Sequence, residues 1–289
     1  MPELPEVENT IMGLRRNIIG KKFADVWTDW AKTIKKPKDF KQFKKGIAGK
    51  KVLKIKRRGK NIIFELSGKK TLLIHQKMTG HLLFGKWKKK MGKWIASKGP
   101  MSDPMNRFLH LIFIFSDGKM MAFSDLRKFG KVELWKREDF KNNSDINQLG
   151  PEPLEKSFSL SRFKKIAYGK KGKIKQVLMD QKAVSGIGNI YSDEILWRAR
   201  VHPLKPANKL SDKELKDIYG AMKEILQKAI KLGGESISDY RKPDGKRGNF
   251  DKIRKIYRRE GEKCFRCLNP IKRIKIGGRS AHYCPFCQK

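Results

Sequence analysis

The sequence predicts an α+β protein with a β-rich N-terminal part, a helical second part and a small cysteine-containing hairpin at the end. In residues 20–136, short runs alternate apolar and polar side chains, and Gly-containing turns separate them at hairpin spacing. After residue 157 the apolar positions recur at helical spacing. All four cysteines come near the C-terminus, in two C-x-x-C pairs.

The N-terminal part is predicted as a β-sandwich with one helix, over about residues 5–19, packed at its side. The interval 88–106 shows no periodicity and is predicted as a long loop. The predicted strands are VLKIKRR (52–58), NIIFEL (61–66), TLLIHQ (71–76), HLIFIF (110–115), KMMAFS (119–124) and KVELW (131–135).

The second part is predicted to be helical and to follow a polar, turn-rich linker. Its last long helix begins with Ser211 as N-cap and Glu214 three residues on, a capping box, and ends near Gly233. The Gly-, Pro- and charge-rich interval 233–250 is predicted to be a mobile loop. The predicted domains are 2–136 (β-sandwich), 137–157 (linker), 158–250 (helical, with this loop) and 251–289 (cysteine hairpin).

Basic residues far outnumber acidic ones, with 69 Lys and Arg against 29 Asp and Glu and a formal charge of +40. Such a surface repels itself unless it meets a polyanion, so nucleic acid is the leading ligand class and an anionic membrane surface the weaker alternative. No run approaches the roughly 18 apolar residues of a membrane span. The polar, acidic N-terminus is not that of a signal peptide. We therefore expect a soluble intracellular protein that binds no membrane.

The four cysteines have the spacing of a structural zinc site. Two C-x-x-C pairs, Cys264 with Cys267 and Cys284 with Cys287, flank a segment predicted as strand, Gly-Gly turn and strand. The alternatives are two disulfides or four incidental thiols, and without a secretion signal the disulfides are disfavoured. Four thiolates leave zinc no open position, so the expected ion folds the hairpin and presents Arg279 near its tip.

The first residues, MPELPEVENT, allow two interpretations. Proline followed by acids suits a helix start, because the φ of proline matches the first turn and acids complement the helix dipole. Alternatively, removal of Met1 leaves Pro2 with a secondary amine beside Glu3 and Glu6. An α-amino group titrates near 7.7–8 in model compounds, so a nucleophilic fraction would exist at working pH.

The stretch VSGIGNIYSDE (184–194) is a candidate phosphate-binding turn. Its glycines permit a tight turn and a close backbone approach, and Asn189 can cap the helix that follows. The free amides of that helix attract phosphate. An ordinary helix start is the alternative, and basic residues just upstream favour phosphate: Lys170, Lys171, Lys173 and Lys175.

Together these motifs resemble the formamidopyrimidine-DNA glycosylase family nearly from end to end. They are PELPEVE at the start, RRGK (57–60), HQKMTGHL (75–82), DLRKFG (125–130), LGPEPL (149–154), LMDQKAVSGIGNIYSDEILWRARVHP (178–203), PDGKRG (243–248) and GGRSAHYCPFCQ (277–288). The resemblance implies an N-terminal β-sandwich, a helix–two-turn–helix domain and a C-terminal zinc finger, with damaged double-stranded DNA in the cleft between them. It also implies a cytoplasmic, nucleoid-associated monomer with one structural Zn²⁺.

The resemblance implies an activity: excision of oxidised purines, 8-oxoguanine and formamidopyrimidine, followed by β,δ-elimination. The amine of Pro2 would attack the sugar C1′ and form an iminium with the DNA. Glu3 would shuttle protons, and Glu6, one helical step on, would support the N-terminal turn. Lys60 would act at the phosphates and in base release. The interval 233–250 would cover the flipped base.

The resemblance also assigns the DNA contacts. Met78, Arg127 and Phe129 match the three side chains that fill the void left by the extruded base.

Asn189 and Arg279 match the contacts that pinch the backbone at the lesion, which places Arg279 among the catalytic groups. Lys171 matches a basic residue upstream of the phosphate turn. The chain departs from the family at Lys77, where glycine is usual, and at Leu126, where proline is usual.

Two other functions stay open. A member of the same superfamily that removes oxidised pyrimidines shares the proline and the fold, although PELPEV and the Arg–Phe pair favour the purine branch. A non-enzymatic zinc-ribbon DNA-binding protein would have no reason to keep Pro2, Glu3 and Lys60 together.

Overall fold

The structure is a computed structural model that describes residues 1–96 and 98–289. Its contacts divide the chain into two compact units, 1–147 with 232–249, and 148–231 with 250–289. Among the described residues, no helix combines the length and apolar character needed to cross a membrane.

The first unit is a sandwich of two sheets, which confirms the predicted β-sandwich. A four-stranded sheet has the order β1-β9-β10-β6 and a five-stranded sheet the order β2-β11-β5-β4-β3. All pairings are antiparallel except β2 with β11. The strands are β1 (Phe23–Thr28), β2 (Ile34–Lys36), β3 (Val52–Arg58), β4 (Asn61–Leu66), β5 (Lys70–His75), β6 (His81–Gly85), β7 (Trp87–Lys90), β8 (Lys93–Ala96), β9 (Leu109–Phe115), β10 (Met120–Ser124) and β11 (Lys131–Lys136).

The helix α1 (Leu4–Ile18) packs into the core of this sandwich. Its apolar residues recur three and four positions apart, and Val7, Ile11 and Leu14 are fully buried. They join side chains from the inner faces of both sheets in one cluster. Further helices of the unit are α2 (Phe40–Ile47), α3 (Arg137–Phe140) and α4 (Ser144–Asn147).

The prediction of a loop over 88–106 is wrong for residues 88–96, which belong to the hairpin β7–β8. Its turn residues Met91 and Gly92 both have positive φ, 47° and 77°, as in a type I′ turn. Lys89 shares a face of the hairpin with the buried Trp87, but its side chain is exposed, and its Nζ lies 5.8 Å from the Trp27 ring centroid. A lysine at a position where alternation would place an apolar side chain hides the strand pattern. Ser97, within the predicted loop, lies outside the described residues.

The second unit contains the predicted helices and the C-terminal hairpin. Ser211 and Glu214 form the predicted capping box, since each backbone N–H donates to the other residue's side chain. The elements are α5 (Leu160–Tyr168), α6 (Ile174–Met179), α7 (Asn189–Ala199), α8 (Asp212–Lys231), β12 (Lys272–Ile276) and β13 (Arg279–Tyr283).

The 232–249 segment groups with the first unit, whereas the sequence places it in the helical domain. The reason is a set of long-range bonds: Phe84 N–H donates to the Pro243 carbonyl at 2.8 Å, and the side-chain amide of Asn106 donates to the Gly245 carbonyl at 3.2 Å. Between Lys231 and Phe250 the chain forms no helix or strand.

Candidate functional site

The N-terminus of α1 is built by two buried glutamates. Glu3 is the N-cap, and its side chain accepts the backbone N–H of Glu6. In return, Glu3 N–H donates to Glu6 Oε2 at 2.8 Å. Both side chains are about 1% exposed. A helix does start here, as that interpretation expects, but the proline of its first turn is Pro5, whereas Pro2 precedes the N-cap.

Glu6 also holds the 232–249 segment. Its Oε1 accepts the backbone N–H of Glu235 at 2.8 Å, and its carbonyl oxygen accepts the Tyr240 hydroxyl at 3.0 Å. Gly234 has a φ of +83°, and a Cβ there would lie 2.8 Å from Glu6 Oε1. Glycine is therefore required for this approach.

Burial lowers the pKa of the α-amino group of Met1, which favours its neutral form. The carboxylates of Glu3, Glu6 and Asp239 oppose this shift, and the Lys60 ammonium adds to it. Lys60 follows the tight turn at Gly59, where φ is +54°, and is only 6% exposed. An amine, a buried acid pair and a buried lysine therefore meet at this end of α1.

The loops 76–80 and 125–130, which we call the wedge loops, are joined by a buried carboxylate. Asp125, 2% exposed, accepts the Thr79 hydroxyl and, at 2.7 Å, the Gly130 N–H. The Thr79 oxygen in turn accepts the Arg127 N–H at 3.0 Å. This network sets the backbone of both loops, with Met78 next to Thr79.

The three predicted void-filling side chains all lie on the wedge loops. Phe129 is 52% exposed, unusual for a large aromatic side chain, and the Arg127 guanidinium carbon lies 4.6 Å from its ring centroid. Met78 is half-buried. Lys77 has a φ of +55°, which accounts for the glycine that is usual there. Burial lowers the pKa of His75 to about 3, and its neutral ring accepts the Lys77 N–H at 2.9 Å.

In the second unit, Asn189 does not cap α7 as the sequence predicts. Gly188 is the N-cap, and Asn189 is the first helical residue. Asn189 Oδ1 is buried and has no hydrogen-bond partner among the described residues. Lys171 is exposed.

Lys175, grouped by the sequence with the phosphate-binding lysines, is instead fully buried. Its Nζ pairs with Asp193 Oδ1 and donates to Ser192 Oγ at 3.1 Å. The other oxygen, Asp193 Oδ2, accepts the backbone N–H of His282 and contacts its Nδ1, each at 3.0 Å. The network ties α6 and α7 to β13. Sequence reasoning missed it because periodicity does not mark a buried charge.

A second buried acid, Glu194, orders the chain before the cysteines. Its carboxylate accepts the backbone N–H groups of Lys255, Ile256 and Tyr257 at 2.9–3.0 Å. Burial raises the pKa of Glu194, and these three bonds oppose that shift. The helix α7 thus holds both the hairpin and the segment leading to it.

The four cysteines fit one structural zinc. Their Sγ atoms all lie within 4.8 Å of one another, with Cys267–Cys284 at 3.4 Å and Cys264–Cys287 at 4.0 Å. Tetrahedral zinc with Zn–S bonds of about 2.3 Å places sulfurs roughly 3.8 Å apart. The predicted closed site is therefore confirmed.

Arg279 begins β13, directly after the turn at Gly277 and Gly278, where both φ angles are positive. A Cβ on Gly277 would lie 2.6 Å from the side-chain amide nitrogen of Gln176. The hairpin tip thus packs closely on α6, and Arg279 is exposed beside it.

The sandwich, the helical unit and the four-cysteine hairpin define the class of DNA glycosylases of base excision repair. Three family models match the chain: "Formamidopyrimidine-DNA glycosylase N-terminal domain" over 1–132, "Formamidopyrimidine-DNA glycosylase H2TH domain" over 149–241 and "Zinc finger found in FPG and IleRS" over 261–289.

Curated relatives match over the full chain. The formamidopyrimidine-DNA glycosylase of Pelotomaculum thermopropionicum is 38% identical over 289 residues, covering 100% of this chain and 99% of that protein. The enzyme of Lactococcus lactis is 38% identical, with 100% of both chains covered.

Solved structures agree. A complex of Lactococcus lactis Fpg with abasic-site DNA has a TM-score of 0.85 at 34% identity, covering 99% of each chain. MutM (Fpg) of Thermus thermophilus has a TM-score of 0.83 at 33% identity, covering 99% of this chain and 98% of that one. The chain therefore belongs to the formamidopyrimidine-DNA glycosylase family.

Proposed function

We propose that this protein excises oxidised purines from double-stranded DNA and then cuts the strand, with the amine of Pro2 as nucleophile. The observation that supports this most is the buried pair Glu3 and Glu6 at the chain start, where these acids and the buried Lys60 ammonium shift the pKa of the Met1 α-amino group in opposite directions. Relatives solved with DNA containing an abasic site or Fapy-dG have the same fold. The substrate is DNA of the cytoplasmic chromosome.

The chemistry starts when Met1 has been removed. The neutral Pro2 nitrogen attacks C1′ of the damaged nucleotide, the bond from C1′ to the base breaks, and the proton that the proline nitrogen loses goes to the departing base. Glu3 gives a proton to the sugar ring oxygen as the ring opens, which leaves an iminium between Pro2 and C1′. Loss of a C2′ proton expels the 3′ phosphate, and a second elimination expels the 5′ phosphate. Lys60 stabilises the phosphate and assists base release.

The remaining residues hold the DNA. Met78, Arg127 and Phe129 fill the void that the extruded base leaves.

Asn189, Arg279 and Lys171 bind the backbone at the lesion. The interval 233–250 covers the flipped base. The proposed functional domains are the sandwich 2–136, the linker 137–157, the helical part 158–250 and the finger 251–289, although 232–249 groups with the sandwich in the structure.

Borohydride trapping on an 8-oxoguanine duplex tests this proposal. Protein with a free Pro2 should form a covalent adduct, and a version with an N-terminal extension should bind the duplex without forming one. A C-terminal extension of equal length is the control. Full lyase activity with a blocked N-terminus would contradict the role of Pro2, and a preference for thymine glycol would favour the oxidised-pyrimidine branch.

A further inference from the structure

The hairpin β7–β8 forms one wall of a groove on the outer face of the four-stranded sheet. Trp27 of β1 and Trp94 of β8 meet edge to face with ring centroids 5.7 Å apart. Both pack on a small core of the outer face that includes Leu83 and Ile112. The groove has a volume of about 550 Å³, and we call it the Trp27 groove. Its lining residues are Trp27, Asp29, Gly92, Lys93, Trp94, Ile95, Arg107, Phe108, Leu109 and His110.

The Trp27 groove is basic as well as aromatic. Lys93 and Arg107 line it and are exposed. Lys89, also exposed, approaches it from the neighbouring strand, with its ammonium over the Trp27 ring. Among its lining residues the one acid is Asp29, which is bonded to His110 Nδ1 at 2.8 Å. Positively charged grooves that also present aromatic side chains occur in proteins that bind nucleic acid.

Strand register places this groove at the same end of the sheet as the wedge loops. Thr28 pairs with Leu111, near the end of β1 and the start of β9. Leu109 pairs with Ser124 at the end of β10, and Ser124 pairs with His81 at the start of β6. These four strand termini therefore lie at the same end of the sheet.

The chain segments at this end of the sheet connect the groove to the wedge loops. Asp29 and Phe108 line the groove directly beside the ends of β1 and β9, and Asp125 follows β10 in a wedge loop. Trp30, the residue after Asp29, contacts that wedge loop directly, because the Lys128 ammonium lies 4.7 Å from the Trp30 ring centroid.

We propose that the Trp27 groove binds the sugar–phosphate backbone of the DNA duplex that flanks the lesion. This inference rests on the proposed function, since the wedge loops locate the lesion. Lys89, Lys93 and Arg107 contact phosphates, and the sugars pack on Trp27 and Trp94. Duplex DNA that extends from the wedge loops past this end of the sheet thus makes a second contact, at the Trp27 groove.

The test uses a triple variant, Lys89→Gln with Lys93→Gln and Arg107→Gln. Binding is measured against salt on two duplexes with the same uncleavable abasic analogue, one covering only the lesion and one with long arms on both sides. On the long duplex, loss of three phosphate contacts should reduce the slope of log K against log salt by up to about 2.7. On the short duplex the slope should not change.

The matched control removes three lysines from the opposite end of the sandwich. Lys70 begins β5 and pairs with Lys136 at the end of β11, and Lys141 lies near both in a surface cavity. Their triple change to Gln should leave both slopes unaltered. Equal slopes for the two triple variants on the long duplex would overturn the inference. A wild type that binds neither duplex would instead contradict the proposed function.

A single change separates the aromatic contribution from charge. Trp94→Leu keeps an apolar side chain but removes the ring, so affinity for the long duplex should fall several-fold with the salt slope unchanged. Unchanged affinity for the long duplex would overturn the part of the inference that gives the tryptophans a role.

Discussion

Lys175→Met should destabilise the protein through the acid it leaves behind. The Lys175 side chain is fully buried, and its ammonium pairs with Asp193, which is also fully buried. Methionine has a similar length and leaves no large cavity, so the change isolates the charge. The Asp193 carboxylate would then keep only its two contacts to His282.

The size of the effect follows from these contacts. Removal of one partner of a buried ion pair typically costs about 3–5 kcal/mol, because the other charge stays buried and unpaired. The remaining bonds to His282 place this variant at the lower end, near 3 kcal/mol. Adding Asp193→Asn removes the stranded charge but keeps an acceptor for His282, so about 2 kcal/mol of the loss should be recovered.

The measurement is urea unfolding in the presence of zinc, compared with Lys216→Met. Lys216 is an exposed lysine of α8 in the same unit, and its change should stay within about 0.5 kcal/mol of the wild type. If Lys175→Met loses no more stability than Lys216→Met, the buried pair does not stabilise the fold. If the double variant is less stable than Lys175→Met, stranded charge is not the cause.

Other perturbations test other parts of the molecule. Chelation of one zinc per chain should unfold the hairpin and weaken DNA binding; a metal-free protein with normal binding would contradict this. Arg127→Ala should reduce the preference for excision opposite cytosine over adenine by about ten-fold, in single-turnover assays, because the guanidinium can bond a cytosine carbonyl. Burial lowers the pKa of His81 to about 4 from an ordinary value near 6.5, so the unfolded chain binds a proton there that the folded chain does not. The free energy of unfolding should therefore fall by up to about 3 kcal/mol as the pH drops from about 6.5 to about 4. His81→Gln should make the free energy of unfolding less dependent on pH in this range. Asp125→Ala should weaken lesion excision more than binding to undamaged DNA, since it frees both wedge loops; equal losses would count against that role.

The sequence predicts those elements whose local pattern agrees with their tertiary surroundings. The apolar spacing of α1 and the capping box at Ser211 depend on residues that are close together in the sequence, so both could be predicted. The spacing of the four cysteines is equally local and predicts their cluster.

Features decided by distant residues could not be predicted in this way. In the hairpin β7–β8, the exposed Lys89 shares a face with the buried Trp87, so local alternation does not mark the strand. Lys175 and Asp193 are surface residues by type, and their burial depends on a third element, β13. The sequence also assigns the Asn189 carboxamide to a helix cap, whereas Gly188 is the N-cap and Asn189 the first helical residue.

The order in which a ribosome makes the chain bears on the N-terminal site. Glu6 appears among the first residues synthesised, yet its partner Glu235 is 229 positions further along. A nascent chain can pair the strands of the sandwich early, because their contacts lie within the first 147 residues. It cannot complete the surroundings of Glu6 until the 232–249 segment has emerged. A nascent fragment released before that point would keep the sandwich but leave this carboxylate without one of its hydrogen-bond donors.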